Sequence, residues 1–329
     1  MQNFQSYSPG FLLSFLVAVI AYNLGKLIPV VGGPVFGIVL GILLASIWTL
    51  PAVLSKGIKF TSKYILQLAV ILLGFDVNMA SVIKVGQESL IVLVVTLSAA
   101  FLMAYLAGKS LSINRKLSTL IGVGTAICGG SAIAAASSAI DAEDQDISYS
   151  ISTIFLFNVV AVFLFPAIGH LLKLSDTGFG MWAGTAINDT SSVVAAGFSY
   201  SDAAGSFATI VKLTRSLMIV PVTLALAIIF SRGSNAANKF NFVKVFPWFI
   251  LGFLLAAVIR STSVVPLGIT SFLAWSGKFL IIAAMAAIGL NTNIWTFIKA
   301  GPRALLLGAA TWVTVAVSSL AIQFFLQTL

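Results

Sequence analysis

The sequence predicts an all-α polytopic membrane protein of nine to eleven transmembrane helices, with inverted repeats and two discontinuous or re-entrant segments. Three observations carry this. Of 329 residues, 59% are hydrophobic and 8% charged, and mean hydropathy is +1.09; soluble domains carry roughly 25% charged residues. The apolar residues fall in continuous runs and do not alternate, which excludes a transmembrane barrel. Finally, Gly124-Thr-Ala-Ile127 recurs as Gly184-Thr-Ala-Ile187, inside the longer pair GTAICGGSAIAAAS (124–137) and GTAINDTSSVVAAG (184–197).

Nine apolar runs have spanning length: 10–28, 34–50, 62–82, 88–108, 147–172, 206–230, 246–260, 270–297 and 303–327. A span needs roughly 17–25 residues. The first run follows MQNFQSYSPG, which has neither a positive n-region nor a small-residue cleavage site. It is therefore expected to be a retained helix rather than a signal peptide. The two GTAI segments, about 117–140 and 179–200, are too rich in Gly, Ser and Thr to face lipid. Such backbone is tolerated at membrane depth only where it is buried in protein or lines a watery cavity. Each segment either crosses as a broken helix or dips in and returns, and both options are compatible with the sequence.

The formal net charge is +9, from 18 Lys+Arg and 9 Asp+Glu. The cations cluster between apolar runs: Lys56, Lys59 and Lys63; Lys109, Arg115 and Lys116; Arg232, Lys239 and Lys244; Lys299 and Arg303. This is the pattern of the positive-inside rule, not of nucleic-acid binding. It places all four clusters and the N-terminus in the cytoplasm and the C-terminus outside.

A second repeat aligns residues 63–90 with 278–305, keeping Lys63, Ala69, Gly74, Asn78, Ile83, Lys84, Gly86 and Leu90. With the topology above, the copies run in opposite directions, the inverted architecture of many secondary transporters. The chain reads as one membrane domain over 1–329, with pseudo-repeats about 34–172 and 179–329. The first copy precedes its GTAI segment and the second follows its own, so the units are not simple tandem duplicates.

A break in each GTAI segment exposes backbone N–H groups at a half-helix N-terminus, which carries partial positive charge. The substrate-binding candidates are Thr125, Cys128, Gly129, Gly130 and Ser131 in the first segment. Thr185, Asn188, Thr190 and Ser191 are their counterparts in the second. Such a set suits a small oxyanion, whereas free carbonyls at the opposite half-helix ends suit a cation. Cys128, the one cysteine, reads first as a small packing residue, with contact to substrate as the alternative. Asp189 is a carboxylate within the membrane and a candidate for binding a coupling proton or sodium ion. Asp76, which with Asn78 matches Asn291 and Asn293 in the repeat, is a second ion-coupling candidate; the alternative is that these residues end helices. Lys212 and Arg215 are three apart on one helical face, expected about two turns from the outer end of their run. They balance substrate charge, pair with Asp189, or snorkel to the interface. Asn158 is expected to make an interhelical hydrogen bond, and Asp141, Glu143, Asp144 and Asp146 to form a solvated connector. His170 stands without a ligand cluster. No P-loop, Ser-His-Asp or zinc spacing is present, so neither an ATP-driven pump nor an enzyme is expected, and no cofactor or metal.

At these residues the chain resembles the YeiH-like family of bacterial inner-membrane proteins, also called the putative sulfate exporter family. The motifs are LIGVGTAICGGSAIAA (120–135), WAGTAINDTSSVVAAG (182–197), IVKLTR (210–215) and GFDVN, and the likeness runs from about residue 34 to the C-terminus. That family resembles the superfamily of sodium/proton antiporters and bile-acid symporters. The resemblance implies a panel domain, a core domain with two discontinuous segments meeting at the midplane, and export of sulfite or sulfate. Asn188 stands where a His usually precedes the Asp, which leaves Asp189 as the coupling group.

The expected function is secondary active transport of a small anion such as sulfate, sulfite or a related oxyanion, by alternating access coupled to protons or sodium. The partners are that anion, the coupling ion and the lipid bilayer, with a homodimer allowed and no nucleic acid. The rival readings are a cation/proton antiporter and a non-transporting membrane scaffold.

Overall fold

The computed structural model describes residues 7–28, 31–230, 246–292 and 301–328. In lipid the backbone can satisfy its own polar groups only within helices or closed barrels, and the apolar runs accordingly form helices. In chain order these are α1 (Ser8–Leu27), α2 (Gly33–Ile47), α3 (Ala52–Asp76) and α4 (Met79–Ser110). Next come the short α5 (Arg115–Ala126) and α6 (Gly130–Ala139), the long α7 (Asp144–Leu171), and the short α8 (Asp176–Ala186) and α9 (Thr190–Tyr200). The series ends with α10 (Asp202–Phe230), α11 (Phe249–Ser261), α12 (Leu267–Leu290) and α13 (Pro302–Leu326). Seven of these helices are long and apolar enough to cross a membrane; α2 and α11 are shorter apolar helices.

The third expected run, 62–82, is shifted. Its helix begins at Ala52 and stops at Asp76, because the Asn78 side chain accepts from Ser81 N at 2.7 Å and starts α4. α12 stops at Leu290, and residues 293–297 of the expected run lie outside the described residues. Asn293, Lys299 and the Arg232, Lys239, Lys244 cluster lie outside the described residues.

Both GTAI segments return to the face they start from. Lys116 Nζ, at the start of α5, donates to Asp141 O, just past α6, at 2.5 Å. Beside them Asn114 Nδ2 donates to Asp146 of α7 at 2.8 Å. A continuous crossing of α5 and α6 would instead separate those ends by roughly 30 Å or more. Likewise Ser201 Oγ, past the end of α9, donates to Asp176 at the start of α8 at 2.6 Å. The first hairpin therefore hangs from the N-terminal end of α7. The second hangs from its C-terminal end, where Tyr200 OH donates to Leu174 O at 2.5 Å. These two ends of α7 define a first and a second face of the molecule.

The helices sort into two groups. α1, α2, α3, α11 and α12 pack on one another through glycines: a Cβ on Gly41 of α2 would stand 2.4 Å from Ala286 O of α12. α3 and α12 run in opposite directions, since Leu54 and Ile58 pack with Ala287 and Leu290, while Gly277 abuts Ala69 and Leu73. The second group holds α4, both hairpins, α7, α10 and α13. Contacts joining the groups occur from mid-depth to the second face: Gly32 on Ser199, Lys278 with Asp202, and Met79 N donating to Ser261 Oγ at 2.7 Å. Toward the first face the apolar clusters stay inside one group, as with Leu54, Ile58, Ala287 and Leu290, or Leu117, Ile121, Ala304 and Leu307.

The return of the hairpins can be checked by sided labelling. In a Cys128→Ala background, Lys116→Cys and Asp141→Cys should react with a membrane-impermeant maleimide from one side of the membrane. Asp176→Cys and Ser201→Cys should react from the other. Opposite-side labelling within either pair would mean that the segment crosses.

Candidate functional site

The two hairpin tips meet at the middle of α7. In the first tip the chain reverses between α5 and α6 through Gly129, whose φ of +67° is a region that suits glycine. Gly129 N donates back to Gly124 O at 2.9 Å. A Cβ at Gly129 would be 3.7 Å from both Asn158 Nδ2 and Asp189 Cβ, so this tip lies against α7 and against the second tip. In the second tip Ile187 is extended, and Asp189 caps α9 by accepting from Ser191 N at 2.9 Å. The Ser191 hydroxyl bonds the same carboxylate oxygen. Asn158, halfway along the 28 residues of α7, accepts from Asp189 N at 3.1 Å. It is the expected interhelical hydrogen bond, and it fixes the depth of the tip.

Ending α5 and α8 inside the membrane leaves their last carbonyls without intrahelical partners. α10 supplies those partners. Lys212 Nζ donates to Ile127 O at 2.8 Å, to Ile187 O at 3.0 Å and to Asn188 O. Arg215 donates from Nε to Ala126 O at 2.7 Å, from Nη1 to Ile187 O at 3.0 Å and from Nη2 to Thr125 O. The two side chains are 0% and 1% exposed. They sit ten and thirteen residues into α10, about 15 and 20 Å from its start. The snorkelling alternative does not hold, and the helix starts four residues before the expected run, so both side chains lie at the depth of the hairpin tips. Among the described residues no ion pair joins either one to Asp189. Their donors go to backbone because the hairpin tips present carbonyls there.

Three acceptors around one amine nitrogen match the three N–H bonds of an ammonium group, so the geometry suits Lys212 as a cation, and Arg215 is one by nature. Among the described residues Asp189 is the single carboxylate at the tips. Two buried cations against one carboxylate leave one positive charge unbalanced, where the low dielectric makes it costly.

The remaining predicted residues divide by what their groups are already doing. Thr125 Oγ1 donates to Ile121 O at 2.9 Å, and Thr185 Oγ1 to Met181 O at 2.7 Å with Ser319 Oγ 2.6 Å away. Both threonines are fully buried and their hydroxyls are spent on helix packing. Cys128 and Gly129 are buried, Cys128 among apolar neighbours. Gly130, Asp189 and Thr190 are half-buried and Ser131 is exposed. The N-terminus of α6 has no side-chain cap, and Ser131, Ala134 and Ser138 form an exposed stripe from it toward the first face. Asn188 is fully buried, and neither atom of its carboxamide has a hydrogen-bond partner among the described residues. Leaving such a group unpaired costs on the order of 1–3 kcal/mol.

The model of the family described as conserved hypothetical protein 698 matches residues 9–308. The chain belongs to that family. It is 44% identical to a UPF0324 membrane protein of Streptococcus agalactiae, over 99% of each chain. It is 47% identical to one of Clostridium tetani, over 90% of this chain and 91% of the relative. A third, from Fusobacterium nucleatum, is 44% identical over 95% and 96%.

In this member of the family Asp76 stands apart from the tips. It closes α3 and meets Lys278 Nζ of α12 at 3.4 Å, while Ser206 Oγ of α10 donates to it at 3.2 Å. Lys278 also pairs with Asp202 at 3.1 Å and lies over the Phe198 ring at 5.5 Å. Sequence reading had Lys278 only as the repeat partner of Lys63; the available signal was a lysine inside a long apolar run. Asn78 caps α4, as the helix-end alternative expected. His170 stacks on Tyr200, with ring centres 4.3 Å apart, and no group of metal-binding residues occurs among the described residues. Within the acidic connector, Asp146 is buried as the acceptor of Asn114.

Removing the cation that serves three carbonyls should be severe. Lys212→Met orphans the Ile127 and Asn188 carbonyls, leaves Ile187 O to Arg215 alone, and should cost about 2 kcal/mol or more. The expected result is a lower melting temperature of the detergent-purified protein. A melting temperature equal to that of the unmodified protein would show that these bonds do not hold the tips.

Proposed function

We propose that the chain is a secondary transporter that carries a small anion by alternating access. The observation that carries this reading is the unbalanced positive charge buried where the hairpins from opposite faces meet. An anion there restores neutrality. The uncapped N-terminus of α6 offers it backbone N–H groups and about half a positive charge. Ser131, Thr190 and the unpartnered Asn188 carboxamide add hydrogen-bonding groups. Asp189, at the same point, accepts the coupling proton or sodium ion. Lys212 and Arg215 serve as fixed countercharge rather than as direct ligands.

The contacts between the helix groups support alternation. They close the half toward the second face, while the stripe from Ser131 to Ser138 faces the first. Lys109, Arg115, Lys116 and Arg303 lie at the first face, which the positive-inside rule makes cytoplasmic. In this reading the protein stands open to the cytoplasm of a bacterial inner membrane. The resemblance to YeiH-like exporters favours sulfate or sulfite as cargo and outward movement.

The test is counterflow in proteoliposomes with labelled sulfate and sulfite, then formate and acetate. Uptake of at least one, driven or stopped by a proton or sodium gradient, is the expected outcome. No flux of any anion, or sodium- or potassium-dependent proton release without one, would overturn the reading. Lys278→Ala should loosen the second-face closure. In a Cys128→Ala background, Ser131→Cys should then react more slowly from the first face than it does with Lys278 in place; an unchanged rate would remove Lys278 from the gate.

A further inference from the structure

The count of charges at the hairpin crossing bears on the valence of the cargo. Four elements meet there: the first tip with Cys128, the second tip with Asp189, α7 with Asn158, and α10 with Lys212 and Arg215. Among the described residues these groups comprise two cations, one carboxylate, one thiol and one neutral amide. Among the described residues no other charged side chain is buried at this depth; the remaining buried one, Asp146, is at the first face. The contacts suit a charged Lys212 and Arg215, because their N–H groups are all but consumed by five backbone carbonyls. Asp189 is the carboxylate through which the balance can change.

We propose that anion valence and the occupancy of Asp189 are locked together: a divalent oxyanion binds with one proton or sodium ion on Asp189, and a monovalent anion binds with none. With Asp189 ionised, one negative charge neutralises the site. A second one fits only after the carboxylate is neutralised, since two extra negative charges against one net positive leave a buried anion in low dielectric. The orphaned Asn188 carboxamide is an independent sign of a ligand at this point, for a buried amide without partners is costly unless something fills its hydrogen bonds. This rests on the anion-transport reading and adds the coupling ratio to it: one coupling ion per dianion.

The experiment is a thermal-shift titration of purified protein with sulfate and with nitrate, neither of which changes protonation between pH 6 and pH 8.5. Sulfate should bind the unmodified protein more tightly as pH falls, approaching about tenfold per pH unit where one proton is taken up with each dianion. If sodium is the coupling ion, sulfate binding at pH 8.5 should instead rise with sodium concentration. Nitrate binding should be flat in both. Asp189→Asn should bind sulfate tightly with neither dependence. Sulfate binding that is independent of pH and sodium in the unmodified protein, or that keeps its dependence in Asp189→Asn, overturns the lock while leaving anion transport standing. Failure of both anions to stabilise either protein overturns the lock and counts against the transport reading as well.

Discussion

Five carbonyls and two cations hold the centre of this protein together. A chain that enters the membrane and turns back must end a helix where no water can reach its last C=O groups. Lys212 and Arg215 solve that for both hairpins at once, and each hairpin needs the same short stretch of α10. The carbonyl of Ile187 accepts from both side chains, so the two tips and α10 form one unit. The remaining geometry follows from that knot, because α7 has to be long enough to carry one hairpin at each end and polar enough at its middle to receive the second tip.

The same arrangement separates structural from chemical duty. The C-terminal ends of α5 and α8 are consumed by the cations. The N-terminal ends of α6 and α9 are not, and only α9 has a side-chain cap. What faces accessible space is therefore mostly backbone amide, hydroxyl and one carboxylate. A site built this way discriminates by charge and small size, since few side chains shape it.

Much of the fold was legible in the sequence because lipid leaves a chain so few choices. All nine apolar runs correspond to helices, and the caps at Asn78, Asn114, Ser175 and Ser201 are short polar residues placed just before helical runs. The ends of the third run misled because Ala52–Phe60 is amphipathic and mixes lysines with apolar residues, so hydropathy starts late. Whether the GTAI segments cross or return was not legible: the answer lies in contacts such as Lys116 with Asp141, which composition does not encode. The site was legible as a set of residues but not as roles. Thr125 and Thr185 carry hydroxyls that look like ligands, yet a buried threonine in a helix can bond its own preceding turn, and both do. Lys212 and Arg215 looked like partners for an anion or an acid, and only the tip geometry reveals carbonyls within their reach.

α2 has one more consequence. Its 15 residues rise about 22 Å, against roughly 30 Å of hydrocarbon in a typical bilayer. The close approach of Gly41 to α12 leaves it little freedom to shift independently. The lipid around this edge has to thin, or α2 has to draw its flanking residues inward. Acyl-chain length thereby acts as a mechanical load on one of the two helix groups, so membrane thickness belongs among the variables that set its resting position.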